Sequence, residues 1–229
     1  MNILYTIRDL HIGGTANVLL QNVSMLSKDH NIFLVYFGEN SSMNKRFAEY
    51  GVYPIQIKHK GYYDVLRSAL KLRKIIQKER VDVVHANLML DKIIVPLACL
   101  GLDVKKIATL HAAVDSKMGW TKKKRLSLGF VYFLLNNYYH SIIAVSKAAR
   151  ISAEEVGGFK KGKAEGLYTG IIPFLQKKCL DPLFPKGSIV IGTSCRFDPV
   201  KGLIRLVRVF EKIHKNFPQT RLLLIGDGK

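Results

Sequence analysis

Short apolar runs alternate with stretches of helical periodicity along most of the chain. Apolar residues recur every three or four positions after the first run, and again after Asp64, a residue type that favours the N-cap of a helix. The predicted strands are Asn2–Ile7, Asn31–Phe37, Tyr53–Ile57, Val81–His85, Lys106–His111, Ser141–Val145 and Ala164–Tyr168. The predicted helices are Ala16–Leu26, Asp64–Arg80 and segments near 90–100, 121–139 and 147–156. Apolar strands separated by helices indicate an α/β protein with a parallel sheet covered on both faces.

The composition changes in residues 170–187, which contain three prolines and two glycines and show no sustained periodicity. Such a stretch is typical of a linker. The elements predicted beyond it are a strand at Ser188–Ser194, a helix at Lys201–Asn216 and a strand at Arg221–Ile225. The predicted organisation is a first domain at 1–169, a linker at 170–187 and the beginning of a second domain at 188–229.

The charge balance narrows the class of partner. The chain has 36 Lys and Arg against 17 Asp and Glu, a formal net charge of +19 over 229 residues. Because 48% of the residues are hydrophobic, the chain can bury an ordinary core, and disorder is excluded for the whole. The excess of cations points to an anionic partner: a nucleic acid, an acidic membrane surface or a phosphate-bearing small molecule.

The cysteines Cys99, Cys179 and Cys195 lie far apart and lack the spacing of metal ligands, so no metal site is predicted. Their odd number fits a reducing compartment. No run of apolar residues has the length of a membrane-spanning helix. The N-terminus lacks the cationic leader and cleavage site of a signal peptide. We therefore expect a cytoplasmic protein.

Candidate functional residues lie at or after the ends of two predicted strands of the first domain. Gly13 and Gly14 lie where the first strand passes into the first helix, so they form either a plain tight turn or a place where a ligand approaches the backbone. His111 ends the strand KIATLH, at the edge where parallel sheets bind ligands. It is either a structural residue or a group that contacts a sugar hydroxyl, and Asp115 is a possible partner. His85 ends another strand and is interpreted as structural.

Two cations bracket the turn C-R-F-D-P-V-K-G in the second domain. Arg196 follows a strand, and Lys201 lies at the start of the next helix. Two cations beside a helix N-terminus can bind a diphosphate, because their charge adds to the helix dipole. The alternative for each residue alone is a solvated surface position.

A basic and aromatic segment precedes the helix predicted at 121–139. It combines Trp120 with the run Lys122, Lys123, Lys124 and Arg125. Such a combination can lie at an anionic membrane surface. The alternative is a core helix with a charged N-terminal loop. Cations in the first turn oppose the helix dipole, which suggests that they do something other than stabilise the helix.

The ordered motifs Gly13-Gly14, TLHA, IIAVSKAAR, YTGI, R-F-D-P-V-K-G and L-L-L-I-G-D-G resemble those of retaining glycosyltransferases of the GT-B fold. More specifically, the chain is similar to family four, a large group that assembles bacterial polysaccharides and glycolipids. The likeness spans the whole chain, and the R-x4-K-G and I-G-D-G segments are its most specific part. In that family, two Rossmann-like domains bind the acceptor and the nucleotide-sugar donor respectively.

The resemblance implies a role for each candidate residue. Arg196 and Lys201 would neutralise the donor diphosphate, and His111, the candidate catalytic residue, would contact the transferred sugar. Gly13 would lie on the acceptor side, and Gly14 would let backbone amides approach the donor or the acceptor. Gly226 and Asp227 would line the nucleotide. The resemblance implies no metal and no cofactor beyond the nucleotide-diphosphate sugar, because the cations stabilise the departing diphosphate.

The sequence departs from the family pattern in three places. Ala112 stands where the family often has aspartate, and Thr169 where it usually has asparagine. The sequence ends at Lys229, before the family's paired glutamates and its returning C-terminal helix. We therefore expect residues 1–229 to be weakly active or inactive. The alternative is a non-catalytic member of the fold that binds a partner or acceptor only.

The basic residues lie on the outer faces of several predicted helices and do not form a nucleic-acid-binding module such as a helix-turn-helix. We therefore expect no nucleic acid among the partners. The expected partners are the nucleotide-sugar donor, a glycan or lipid-linked acceptor and an anionic membrane surface, which would place the protein on the inner face of the cell membrane.

Overall fold

The computed structural model describes residues 1–113, 122–170 and 183–228. The chain divides into two compact units, Met1–Ile172 and Pro173–Lys229, called here the first and second units. The domain bounds predicted from the sequence remain a prediction, because most of the predicted linker lies outside the described residues.

The first unit is a parallel α/β sheet with helical connections. Its elements are β1 Asn2–Ile7, α1 Gly14–Leu26, β2 Asn31–Tyr36, α2 Asn44–Ala48, β3 Ile55–Gln56, α3 Val65–Lys78, β4 Val83–Ala86, α4 Asp91–Ala98, β5 Lys105–Leu110, α5 Lys122–Tyr138, β6 Ser141–Ala144, α6 Lys147–Glu155 and β7 Ala164–Gly166. The sheet has seven strands in the order β3-β2-β1-β4-β5-β6-β7. Every pair of neighbouring strands is parallel. The predicted fold class is confirmed.

Helices cover the sheet on both faces, as expected for a buried parallel sheet. Adjacent residues of β1 belong to different hydrophobic clusters: Leu4 to one and Tyr5 to the other. Because adjacent side chains of a strand point to opposite faces, the two clusters lie on opposite sides of the sheet. The first includes residues of α3, α4, α5 and α6, and the second includes residues of α1 and α2.

The observed helices differ from the prediction at α2, which the sequence pattern does not predict, and at α3, which ends at Lys78 and not at Arg80. Helix α2 has only five residues, which is too short to show helical periodicity in the sequence. Asp64 occupies the N-cap position of α3, but its side chain does not cap the helix. Its carboxylate instead accepts the backbone N–H of Lys60 at 2.7 Å, which closes the preceding turn.

The second unit contains β8 Ile189–Ser194, a short 3-10 turn at Pro199–Lys201, α7 Leu203–Asn216 and β9 Thr220–Ile225. Strands β8 and β9 pair in parallel from Ile189–Thr220 to Ser194–Ile225. Gly202 joins the 3-10 turn to α7 with a φ of 66°, a left-handed conformation that glycine adopts without strain. No residue of α7 is buried, so this unit has little apolar core of its own in the described part of the chain.

We predict that truncation of Leu72 destabilises the protein far more than truncation of its neighbour Leu70. Leu72 is fully buried between α3 and the sheet, whereas Leu70 on the same helix is 55% exposed. Leu72→Ala should lower the free energy of unfolding by about 2–5 kcal/mol, because it leaves a cavity. Leu70→Ala should change it by about 0.5 kcal/mol at most. Urea unfolding followed by circular dichroism tests this, and equal losses would contradict the assigned core.

Candidate functional site

Polar side chains gather where β4 and β5 end. His111 directly follows β5, and Asn87 directly follows β4. Because these strands are parallel neighbours, both residues lie at the same edge of the sheet. His111 Nε2 lies 3.2 Å from Asn87 Oδ1.

The hydrogen bonds of Asn87 define the tautomer of His111. Its Nδ2 donates to the carbonyl oxygen of Thr6 at 3.1 Å and to that of His85 at 3.4 Å. The carboxamide oxygen therefore faces His111 and can only accept a hydrogen bond. His111 Nε2 must then carry the proton and donate it, which leaves Nδ1 as an acceptor.

A buried carboxylate holds the turn that carries Asn87. Asp91 is fully buried and begins α4. Its Oδ2 accepts the backbone N–H of Asn87 at 2.5 Å and that of Leu88 at 2.9 Å, while Thr6 Oγ1 donates to Oδ2 from 3.3 Å. Burial raises the pKa of Asp91 to about 6, against the opposing effects of the backbone hydrogen bonds and of the Lys92 charge. These bonds tie the β4–α4 turn to β1.

Both histidines at this edge are neutral at pH 7. Burial lowers the pKa of His111 to about 4, and the positive charge of Lys92 adds to the effect. Burial also lowers the pKa of His85 to about 4, and repulsion from a protonated His111 and from Lys92 contributes to the same shift. His85 Nε2 lies 2.7 Å from Thr109 Oγ1, and its ring lies 5.1 Å from that of Tyr5, so His85 is held within the structure. His111 is the one left with an acceptor nitrogen for a ligand.

The glycine pair lies at the start of α1, beside this edge. Gly13 has a φ of −173°, an extended conformation that any residue adopts. A Cβ at Gly13 would lie 3.0 Å from His11 Nε2, whereas one at Gly14 would meet no protein atom within 4 Å. The N-cap of α1 has no side-chain hydrogen bond. The first turn of α1 is therefore open for a ligand at Gly14.

The second unit gathers its candidate cations around one carboxylate. Arg196 Nη2 pairs with Asp198 Oδ2 at 2.9 Å, and the Arg196 side chain is 61% exposed. Asp198 Oδ1 accepts the backbone N–H of Val200 at 3.0 Å. That hydrogen bond lowers the pKa of Asp198, and the charges of Arg196 and Lys201 lower it further. The charges of Arg196 and Lys201 therefore both stabilise the carboxylate of Asp198, in the turn that leads into α7.

The turn after β9 packs directly against the turn after β8. The backbone N–H of Phe197 donates to the carbonyl of Asp227 at 2.7 Å. Gly226 has a φ of 152°, and a Cβ there would lie 1.9 Å from the carbonyl oxygen of Cys195, so only glycine fits. An open depression of about 400 Å³ lies beside the 3-10 turn and the first half of α7, lined by Val200, Lys201, Gly202, Arg205, Leu206 and Val209.

In the first unit, Gly13 and Gly14 follow β1 and His111 follows β5, so all three lie beyond the carboxyl ends of parallel strands. In the second unit, the turns after β8 and β9 carry Arg196, Lys201, Gly226 and Asp227. Trp120 and Asp115 lie outside the described residues, and Lys122, Lys123, Lys124 and Arg125 begin α5. The sequence analysis misses Asn87, Asp91 and Lys92. The sequence does contain one signal that could have indicated this turn: Asp91 is an acidic residue at the start of a helix that closely follows a strand.

Within the described ranges, no group of three or more His, Cys, Asp or Glu side chains is placed to hold a metal ion. None of the helices in those ranges has the length and apolar character needed to span a bilayer.

Comparison with known proteins gives a family and a fold. Residues 12–173 match the family described as Glycosyltransferase Family 4. No curated protein matches the chain significantly by sequence.

The solved structures that are similar to the chain at low sequence identity include three with 15–17% identity. HepE from Anabaena, in complex with UDP and glucose, matches with a TM-score of 0.79 at 17% identity, over 99% of this chain and 61% of HepE. A glycosyltransferase from Rickettsia africae matches with a TM-score of 0.70 at 15% identity, over 98% of this chain and 68% of that one. The lipopolysaccharide outer core galactosyltransferase WaaB matches with a TM-score of 0.67 at 16% identity, over 100% of this chain and 62% of WaaB. The chain thus spans about three fifths of the length of HepE, at 61%.

We predict that Lys92→Met raises the pKa of both His111 and His85. The ammonium of Lys92 disfavours protonation of either ring, so its removal should move both values from about 4 towards 6.5. Lys45→Met, at an exposed position of α2, is the matched control and should leave both values unchanged. NMR titration of the ring signals measures this, and unchanged values in Lys92→Met would refute the assigned electrostatics.

Proposed function

The chain belongs to Glycosyltransferase Family 4 and shares the GT-B fold, and from that premise we propose that it takes part in moving a sugar from a nucleotide-diphosphate sugar to a glycan or lipid-linked acceptor. The transfer retains the configuration of the sugar and serves bacterial polysaccharide or glycolipid synthesis. HepE in complex with UDP-glucose and the lipopolysaccharide transferase WaaB support this choice of donor and pathway.

One observation carries the proposal: Arg196 and Lys201 flank the turn after β8, with the backbone of Asp227 beside it. The pairing of Arg196 with Asp198 is exposed to solvent, and such pairs contribute little stability. A diphosphate can therefore take over the guanidinium at small cost. The two cations stabilise the negative charge that develops on the departing diphosphate, so the transfer requires no metal ion.

The first unit supplies the acceptor side and one contact to the transferred sugar. His111 is neutral, and its Nδ1 accepts a hydrogen bond from a sugar hydroxyl. Gly14 leaves the first turn of α1 open for a ligand. In the second unit, Gly226 and Asp227 lie on the nucleotide side of the donor. His111 acts by positioning the sugar, since a pKa of about 4 makes it a weak base.

The chain has 229 residues and spans 61% of the length of HepE. We propose that they are weakly active or inactive as a transferase. The alternative function is binding of an acceptor or a partner without catalysis. Donor hydrolysis and sugar transfer by this chain test both statements. Weak transfer would refute the non-catalytic alternative, and full transferase activity would refute the low activity as well.

A membrane surface is the proposed location, on the cytoplasmic side. Helix α5 exposes Leu126, Phe130 and Phe133, which are 80%, 52% and 54% exposed. Their spacing places them along one face of the helix, directly after the run 122–125 of four cations. An anionic bilayer suits this surface, since it attracts the cations and takes up the apolar side chains.

We predict that the double substitution Arg196→Ala and Lys201→Ala abolishes most donor binding. Each charge-assisted hydrogen bond contributes about 1.5–3 kcal/mol, so affinity should fall by about a hundredfold or more. Calorimetric titration with UDP-glucose and GDP-glucose measures this. Arg208→Ala with Lys212→Ala removes the same charge from exposed positions of α7 and should change affinity little. Equal binding by the two double variants, or no binding by the unaltered chain, would contradict the proposed donor site.

We also predict that Phe130→Ser with Phe133→Ser weakens binding to vesicles that contain phosphatidylglycerol by about tenfold or more, because both rings leave water on binding. Tyr53→Ser is the control, since Tyr53 is 75% exposed and lies far from α5 in sequence. Vesicle co-sedimentation measures the effect, and binding should weaken as salt rises. Undiminished binding by the phenylalanine variant would refute the assigned surface.

A further inference from the structure

Helix α3 carries charge of one sign only. Its residues 65–78 include five cations and no carboxylate, so nothing within the helix balances their charge. In the described part of the chain, Arg67, Lys71 and Lys74 are exposed and form no ion pair. Lys78, at the end of the helix, pairs with Glu79 at 3.2 Å. A helix surface with uncompensated cations attracts an anionic partner.

Exposed apolar side chains lie beside these cations on α3. Leu66 is 64% exposed, and the exposed Leu70 follows it by one helical turn. Tyr63, just before the helix, is fully exposed and precedes Leu66 by three positions. This spacing places the apolar side chains along one side of the helix. The outer surface of α3 therefore presents an apolar stripe next to a basic one.

The apolar stripe of α3 continues onto the end of α4. Arg73 Nη1 donates to the carbonyl oxygen of Ala98 at 3.2 Å and to that of Leu100 at 2.5 Å. Arg73 follows Leu70 by three positions, so both lie on the same side of α3. That side therefore lies next to the end of α4, where Leu97 and Leu100 are exposed, Leu100 to 65%.

Helix α5 belongs to the same layer of helices. Helix α3 packs against α4, and α4 packs against α5. Buried residues of all three helices belong to one hydrophobic cluster, so the helices cover the same face of the sheet. Their exposed side chains lie on the outer side of this layer. The three helices contain a single acidic residue, Asp91, and it is buried.

We propose that α3, the end of α4 and α5 form one continuous surface that binds an anionic lipid bilayer. The inference rests on the proposed membrane location and extends the contact from α5 to α3. A bilayer with anionic headgroups attracts the cations and takes up the apolar side chains. A nucleic acid would leave the leucines in water, and the net charge of +19 opposes pairing with a second copy of the chain.

Contacts on two separate helices fix how the first unit lies on the bilayer. The helices of the layer lie in the plane of the membrane, with the sheet above them. A helix with its side chains is about 10–12 Å across, so the edge that carries His111 lies about that far above the headgroups. This height suits an acceptor sugar that is carried on a lipid headgroup.

Vesicle co-sedimentation of the 229-residue chain tests the apolar stripe. Leu66→Ser with Leu70→Ser should weaken binding to vesicles that contain phosphatidylglycerol by about tenfold or more, because two apolar side chains no longer leave water. Met25→Ser with Tyr53→Ser is the matched control and should change binding little. Met25 and Tyr53 are 62% and 75% exposed and lie outside α3, α4 and α5. Circular dichroism checks that each variant is folded.

The basic stripe is tested in the same assay. The triple variant Arg67→Gln, Lys71→Gln and Lys74→Gln should weaken binding by about a hundredfold at low salt, because each cation near an anionic surface contributes separately. The triple variant Lys28→Gln, Lys45→Gln and Arg46→Gln removes the same charge from exposed positions in and near α1 and α2. It should bind almost as well as the unaltered chain.

Three results would overturn the inference. One is unchanged binding by the α3 variants, and another is an equal loss in the α3 variants and their controls, which would indicate attraction by the net charge alone. The third is binding to pure phosphatidylcholine vesicles that is as strong as binding to the anionic ones.

The variant Phe130→Ser with Phe133→Ser separates this inference from the proposed membrane location. If only that variant loses binding, the membrane location stands and the α3 surface is refuted. If the α5 and α3 variants each lose binding, and their combination loses more than either, the continuous surface is confirmed. Calorimetric titration with UDP-glucose tests the proposed donor site independently, because no residue of these helices belongs to it.

Discussion

The edge of the sheet where β4 and β5 end depends on the buried carboxylate of Asp91. By accepting the backbone N–H groups of Asn87 and Leu88, it fixes the turn between β4 and α4. By accepting the hydroxyl of Thr6, it joins that turn to β1. Asn87 can then direct its carboxamide oxygen at His111. A carboxylate in this place stays buried because backbone donors satisfy it, and the result is a histidine with a defined tautomer.

The histidines where β4 and β5 end are uncharged, although the molecule as a whole is strongly basic. The chain carries a formal net charge of +19, yet the histidines at the edge are neutral because burial and the Lys92 ammonium disfavour their protonation. His111 therefore keeps a lone pair that can accept a hydrogen bond.

In the second unit, close packing of backbone atoms holds the turns in place. In the first unit, buried hydrogen bonds hold the turn between β4 and α4. Gly226 allows the turn after β9 to lie against the carbonyl oxygen of Cys195, so the two turns of this unit are held side by side. The exposed Arg196 is oriented by Asp198, and Lys201 acts on the same carboxylate. A rigid turn with accessible cations is well suited to an anion that arrives from solvent, because the side chains need little rearrangement.

The sequence by itself determined the order of strands and helices apart from the short helix α2, the parallel α/β class, the family and the basic turn of the second unit. Those features follow from local periodicity and from short contiguous motifs such as R-F-D-P-V-K-G. Only the tertiary structure decided the roles of Asn87, Asp91 and Lys92, and the neutral state of His111. Residues from β1, the β4–α4 turn and the end of β5 meet there although up to about a hundred positions separate them, from Thr6 to His111. Burial, which sets their charge states, exists only after the sheet has formed.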